Sequence, residues 1–246
     1  DNYNVAVGFE AGKKVSTGTQ NTLIGGEAGD ALTTGSSSVA IGYRALTTED
    51  TGSRNVAIGD NALAALNYDG VGYNVAMGFY AGAAMTTGTQ NTLIGGNAGA
   101  GLTSGSSNIA IGYSALNVED GNGGNVAIGD LALSTLNAGV DSYNVAIGFQ
   151  AARLMSTALG NVVIGGFAGD ALTSGHRNIA IGYEALSTED AHGYNIAIGY
   201  RALATQDAGV AAYNLAIGAD AGRLITTGVE NTLIGGNAGD ALTIGN

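Results

Sequence analysis

The residues best suited to chemistry in this chain are three acidic pairs, Glu49-Asp50, Glu119-Asp120 and Glu189-Asp190, spaced 70 residues apart. Neighbouring carboxylates are donors for a hard cation, so each pair is a candidate ligand for one Ca²⁺, alone or with a second chain. A solvated corner is the simpler reading of the same residues. The only histidines are His176 and His192, and neither recurs at its own place elsewhere in the chain. A catalytic set requires unlike groups converging once, whereas these acidic pairs are like groups presented repeatedly. The expectation is a protein without catalytic residues or cofactor, Ca²⁺ being the one ion that the sequence suggests.

A stretch of Gly-Gly-x-Ala-Gly-Asp at 25–30, 165–170 and 235–240 carries the glycines and aspartate of calcium-binding nonapeptides, but its period is wrong and Ala100 replaces the aspartate in one copy. Exposed rings are the other candidates. Phe9, Tyr43, Phe79, Tyr113, Phe149 and Tyr183 recur at one place and could stack on sugars or grip a receptor protein. They would equally serve to cover corners or to pack between chains. Three longer connections, 66–73, 136–143 and 206–213, vary more than their surroundings, as recognition loops on a rigid scaffold do.

What positions all of these is a repeat. Asn-Val-Ala-Ile-Gly followed three residues later by Ala, whole at Asn55 to Ala62, returns 14 times at intervals of 17, 17, 17 and 19 residues. The blocks are 4–73, 74–143, 144–213 and a partial 214–246. Asn fills 13 of the 14 first places (Asn4, Asn21, Asn55, Asn74, Asn91, Asn108 and Asn125 among them), with Ser38 the exception. The glycine four places on (Gly8, Gly25, Gly42, Gly59 and onward) and the alanine seven places on never change. A fixed short period means a solenoid, in which each unit buries its apolar side only by stacking on its neighbours.

Within the motif, Val56, Ala57 and Ile58 alternate with the period of a strand. The first and third places are nearly always β-branched, which makes them the expected core face. The middle alanines (Ala6, Ala40, Ala57, Ala76) would then form an outer strip on which partner chains pack closely. A second rule concerns volume: where the eighth place is Gly or Ala the eleventh is large, as with Gly29 and Leu32, while Leu46, Leu116 and Leu186 at the eighth place go with Glu at the eleventh. Close packing demands such compensation. A turn of 17 residues suffices for two short strands and two corners, so the expected fold is an all-β parallel solenoid of 14 coils, one elongated domain. Stacked asparagines would form an amide ladder along it or cap its corners. A helical reading fails on the glycine in every coil.

Composition limits the partners. There are 43 Gly, no Pro, no Cys and no Trp, and the net charge is −12. Nucleic acid and anionic lipid both need clustered cations, so neither is expected, and no apolar run is long enough to insert in a membrane. Beginning and ending within repeats, the sequence reads as a piece of a longer fibrous protein.

Asn125-Val-Ala-Ile-Gly-Asp-Leu-Ala132 and Asn195-Ile-Ala-Ile-Gly-Tyr-Arg-Ala202 resemble the head repeats of trimeric autotransporter adhesins, the YadA-type head, and similar repeats in phage tail fibres. The resemblance implies a left-handed parallel β-roll, a homotrimer and a role in attachment. It places the protein outside the cell, on a bacterial surface or a virion fibre, and names a host receptor, glycan or matrix protein as partner. The alternatives are a spacer without its own ligand and, from threonines such as Thr17, Thr19, Thr22 and Thr34, an ice-binding face; the flat Thr-x-Thr array that the latter requires is absent.

Overall fold

In the computed structural model, which describes residues 2–245, all regular secondary structure is parallel β. The chain forms two compact units, Asp1–Gly123 and Gly124–Asn246. The first holds β1 (Val5–Val7), β2 (Thr22–Ile24), β3 (Val39–Ile41), β4 (Val56–Ile58), β5 (Val75–Met77), β6 (Thr92–Ile94) and β7 (Ile109–Ile111). The second holds β8 (Val126–Ile128), β9 (Val145–Ile147), β10 (Val162–Ile164), β11 (Ile179–Ile181), β12 (Ile196–Ile198), β13 (Leu215–Ile217) and β14 (Thr232–Ile234). Within each unit every strand pairs in parallel with the next in sequence, so each unit is a β-solenoid. Equivalent residues face each other: Val39 opposite Val56, Ala40 opposite Ala57, Ile41 opposite Ile58.

Each coil has one strand of three residues, not two. Its other side closes through turns because the sixth and eighth places adopt positive φ, as at Arg44 (55°) and Leu46 (53°), which extended backbone cannot accommodate. Main-chain bonds still run from coil to coil there, for example Leu46 N–H to the Ala62 carbonyl at 3.0 Å. The invariant glycine ends the strand at a φ near the mirror of the β region, 129° at Gly95, where a methyl group would meet the Gly112 carbonyl oxygen at 2.5 Å. Both the backbone angle and the close approach therefore exclude any side chain.

The core lies on the opposite face of the strand from the one that its alternation suggests. Ala40, Ala57, Ala76 and Leu93 are fully buried, while Val39, Ile41, Val56 and Ile58 are only partly covered. The expected outer alanine strip is thus interior, except for Ala6 in the first coil, which is exposed. The invariant alanines, such as Ala45, Ala62 and Ala98, are buried with it. Room decides this. The turns bring the eighth and eleventh places across from the strand, leaving space for a methyl group where these are Leu and for an isobutyl group where they leave a gap.

That gap is visible at the glycines. A methyl group on Gly82 would meet Leu93 Cδ1 at 2.8 Å, and one on Gly12 would meet Leu23 Cδ1 at 2.6 Å. The middle residue of the second coil therefore fills the space that the small eighth residues of two coils vacate. Block three changes both partners together: Ala152 stands where Gly82 does and Val163 where Leu93 does, both fully buried. One methyl group is added and one carbon removed from the same space.

Val163→Leu should therefore destabilise the protein by about 1–3 kcal/mol through overpacking. Adding Ala152→Gly should recover at least about 1 kcal/mol of that loss in urea unfolding, a coupling that independent sites do not show. Strictly additive effects would mean that the two residues do not share one space.

Candidate functional site

The asparagine column is a structural device with two arms. Asn91 Oδ1 accepts the main-chain N–H of Asn108, one coil on, at 2.9 Å, and Asn91 Nδ2 donates to the Gly105 carbonyl of the corner at 2.8 Å. The same pair of bonds is made by Asn21 to Ser38 N–H and the Gly35 carbonyl, and by Asn161 to Asn178 N–H and the Gly175 carbonyl. Side-chain amides also touch each other, as where Asn161 Nδ2 donates to Asn144 Oδ1 at 3.1 Å. Ladder and corner cap are both present. Ser38 keeps the first arm, its hydroxyl accepting Asn55 N–H at 3.3 Å. In the longer fourth coil of blocks one and three the second arm is not made, and Asn55 Nδ2 and Asn195 Nδ2 are buried without a partner.

Rings line one edge of each unit. Phe9, Tyr43, Phe79, Tyr113, Phe149 and Tyr183 are all exposed, from 45% at Tyr183 to 74% at Phe9. They also rest on neighbours: a methyl group on Gly96 would lie 3.6 Å from the Tyr113 ring, and the same holds for Gly166 and Tyr183. In the second unit Phe149, Phe167, Tyr183 and Tyr200 follow one another at centroid separations of 5.3, 5.9 and 5.9 Å, a ladder of four rings on four coils. Phe167, Asp170, Tyr183, Glu184 and Ser187 line a surface groove of about 360 Å³ beside it. Arg201 Nε holds Glu184 Oε2 at 2.8 Å, and burial pushes the Asp170 carboxyl up. Beyond this edge, the Val and Ile side chains at the first and third strand places give each unit an outward apolar stripe. Seven strands about 4.8 Å apart and roughly 10 Å long make it on the order of 300 Å².

The acidic pairs are not solvated corners. Glu49, Glu119 and Glu189 are fully buried, at the place where most other coils carry a large apolar residue such as Leu32 or Met85. Leu46, Leu116 and Leu186 already fill the apolar space there, so the glutamate turns to the chain: Glu49 Oε1 accepts Gly52 N–H at 2.7 Å and its Oε2 accepts Tyr68 N–H at 3.4 Å. The following aspartates are more open. His192 recurs nowhere else at its place and Asp207 stands 17 residues beyond Asp190 in the sequence, yet the structure brings both beside Glu189-Asp190. The signal was available as a pair of departures of block three from the other blocks. The aspartates of the glycine-rich stretch do not cluster; Asp30 Oδ1 instead accepts the Thr47 hydroxyl at 2.6 Å. No protein family, curated protein or solved structure matches this chain.

Asn91→Ala leaves a buried N–H and a buried carbonyl unpaired and should cost roughly 2–5 kcal/mol in urea unfolding. Glu49 gives a second expectation. Burial raises its carboxyl, opposed by the Gly52, Tyr68 and Asp50 amides, while the Asp50 charge adds to the rise. The folded chain thus binds this proton more tightly than the unfolded chain, so the glutamate lowers stability as pH rises from its ordinary value of 4.5 through its raised folded value. Glu49→Gln should stabilise the protein at pH 7, with the gain shrinking on acidification towards pH 4.5. A variant less stable at neutral pH would show instead that the ionised carboxylate is required.

Proposed function

We propose that this chain is a non-enzymatic attachment protein, acting outside the cell as a surface adhesin head or a virion fibre and binding host receptor, glycan or matrix protein. The observation that carries the reading is the pairing of an exposed ring ladder with an outward Val/Ile stripe, both repeated at fixed places on a scaffold whose asparagine column ties its own backbone. Rings beside carboxylates, as Phe167 and Tyr183 lie beside Asp170 and Glu184, suit sugars: the ring face takes the apolar C–H face and the acid takes hydroxyl protons. The apolar stripe suits side-by-side packing of copies of the chain, and the largest apolar patch on a protein surface is often functional. The resemblance of the repeat to YadA-type heads agrees with a homotrimer. Contact between chains would run through Val and Ile, because the alanines are interior.

The packing of Tyr113 and Tyr183 over glycines of the preceding coil favours a second reading, a spacer whose rings only cover corners. Binding separates the two. Attachment predicts retention of the chain on host cells, a glycan array or matrix proteins, reduced at least tenfold by Tyr183→Ala together with Phe167→Ala. Full binding by that variant would exclude the ring ladder, and no binding to any of these surfaces would leave the spacer. Sedimentation equilibrium at micromolar concentration should give three times the 24.2 kDa chain mass. A monomer there would remove the trimer.

A further inference from the structure

Blocks one to three carry the same buried glutamate in their third coil, but block three surrounds it differently. His192 stands where the other blocks have Gly52 and Asn122, Asp207 where they have Asn67 and Asn137, and Gln206 where they have Leu66 and Leu136. Glu189, Asp190, His192 and Asp207 thereby present one ligand atom each, all within 4.8 Å of one another. The cluster has a floor and a mouth. Glu189 is fully buried; His192 is half-buried, its imidazole 25% exposed; Asp190 and Asp207 are open to solvent.

The floor is incompletely satisfied. Glu189 Oε1 accepts His192 N–H at 3.0 Å and lies 3.1 Å from His192 Nδ1, but Oε2 is buried and has no partner. In block one the corresponding Oε2 has the Tyr68 N–H. A buried carboxylate oxygen without a donor is costly, and a cation relieves that cost.

We propose that Glu189, Asp190, His192 and Asp207 form a binding site for one divalent cation of the borderline class that accepts imidazole together with carboxylates, with Zn²⁺, Co²⁺ or Mn²⁺ as its chemistry. One nitrogen and three carboxylates suit these ions better than Ca²⁺, which takes oxygen donors in larger number. Donors about 2.1 Å from zinc stand roughly 3.4 Å apart in a tetrahedron, so the site closes by a small inward movement. Asp190 and Asp207, being exposed, can rotate to make it, while Glu189 and His192 stay where the chain holds them. His192 Nδ1 donates its proton to Glu189 Oε1 in the empty site, and on ligation it releases that proton to solvent and offers the freed lone pair to the ion, while Glu189 Oε2 gains the positive partner that it lacks.

Gln206 supplies the control. It lies at the same place in its coil as Glu189 does in the preceding one, and its Nε2 is also buried and unpartnered.

The test is calorimetric titration of the full, chelator-stripped chain with ZnCl₂, CoCl₂, MnCl₂ and CaCl₂. The expected result is one ion per chain for at least one of the first three, with Ca²⁺ at least tenfold weaker. His192→Asn and Asp207→Asn, which install the residues that the second block carries at these places, should each weaken binding at least tenfold without altering the circular dichroism. Gln206→Leu should leave it intact. The site is overturned if no ion binds more tightly than about 1 mM. It is also overturned if both asparagine variants bind as the parent does, which would mark diffuse attraction to the acidic surface. Loss of binding in Gln206→Leu alone would place the ion elsewhere.

Discussion

Everything in this structure depends on each coil repeating the one before it in register. The asparagine ladder enforces that register chemically. A side-chain carbonyl reaches one rung along and accepts an amide that the next coil cannot otherwise satisfy, while the same side chain ties its own corner. The register also sets a geometric limit. At strand spacing, equivalent backbones leave no room for a Cβ at the strand-ending glycine, so Gly59, Gly95 and their counterparts cannot vary. A slip of one residue would place Asn against a β-branched side chain and a Cβ against a carbonyl. The repeat holds its alignment because errors of this kind are costly in every rung.

The second constraint is the volume of a narrow interior. A coil with one short strand and a tightly turned far side has room for small residues facing larger ones, and the arrangement rotates among the coils. Leu93 is opposed by Gly82 and Gly99; Val163 is opposed by Ala152 and Gly169. The larger β-branched residues, with no room inside, stand on the outer face of the sheet. The protein therefore presents outward the side chains that most soluble sheets bury, which is what gives that face its capacity to meet another apolar surface.

The solenoid, its coil boundaries and its register were legible from the spacing of Asn, Gly and Ala alone, because stacking makes periodicity and contact the same thing. Which strand face is interior was not legible from hydrophobicity, since Val and Ile outrank Ala on any such scale. The decisive sign was covariation: the middle place grows to Leu or Val only in the second coil, where its own eighth place and that of the coil before it are both Gly or Ala, whereas the size of Val56 or Ile58 answers to nothing. Burial of Glu49, Glu119 and Glu189 was hidden for a related reason. An acidic pair reads as solvated until the turn that supplies its amide donors is known. The meeting of His192 and Asp207 across coils needed the fold, although both depart from the other blocks at matching places.

The account is tested most directly by thiol labelling, for which a chain without cysteine is well suited. Single variants Ala57→Cys and Ile58→Cys would be reacted with a small thiol reagent in the native protein at low concentration. Position 57 should react only at the rate of unfolding and position 58 far faster. Rapid reaction at 57 with protection at 58 would reverse the two faces of the sheet and contradict both the packing and the surface derived from it.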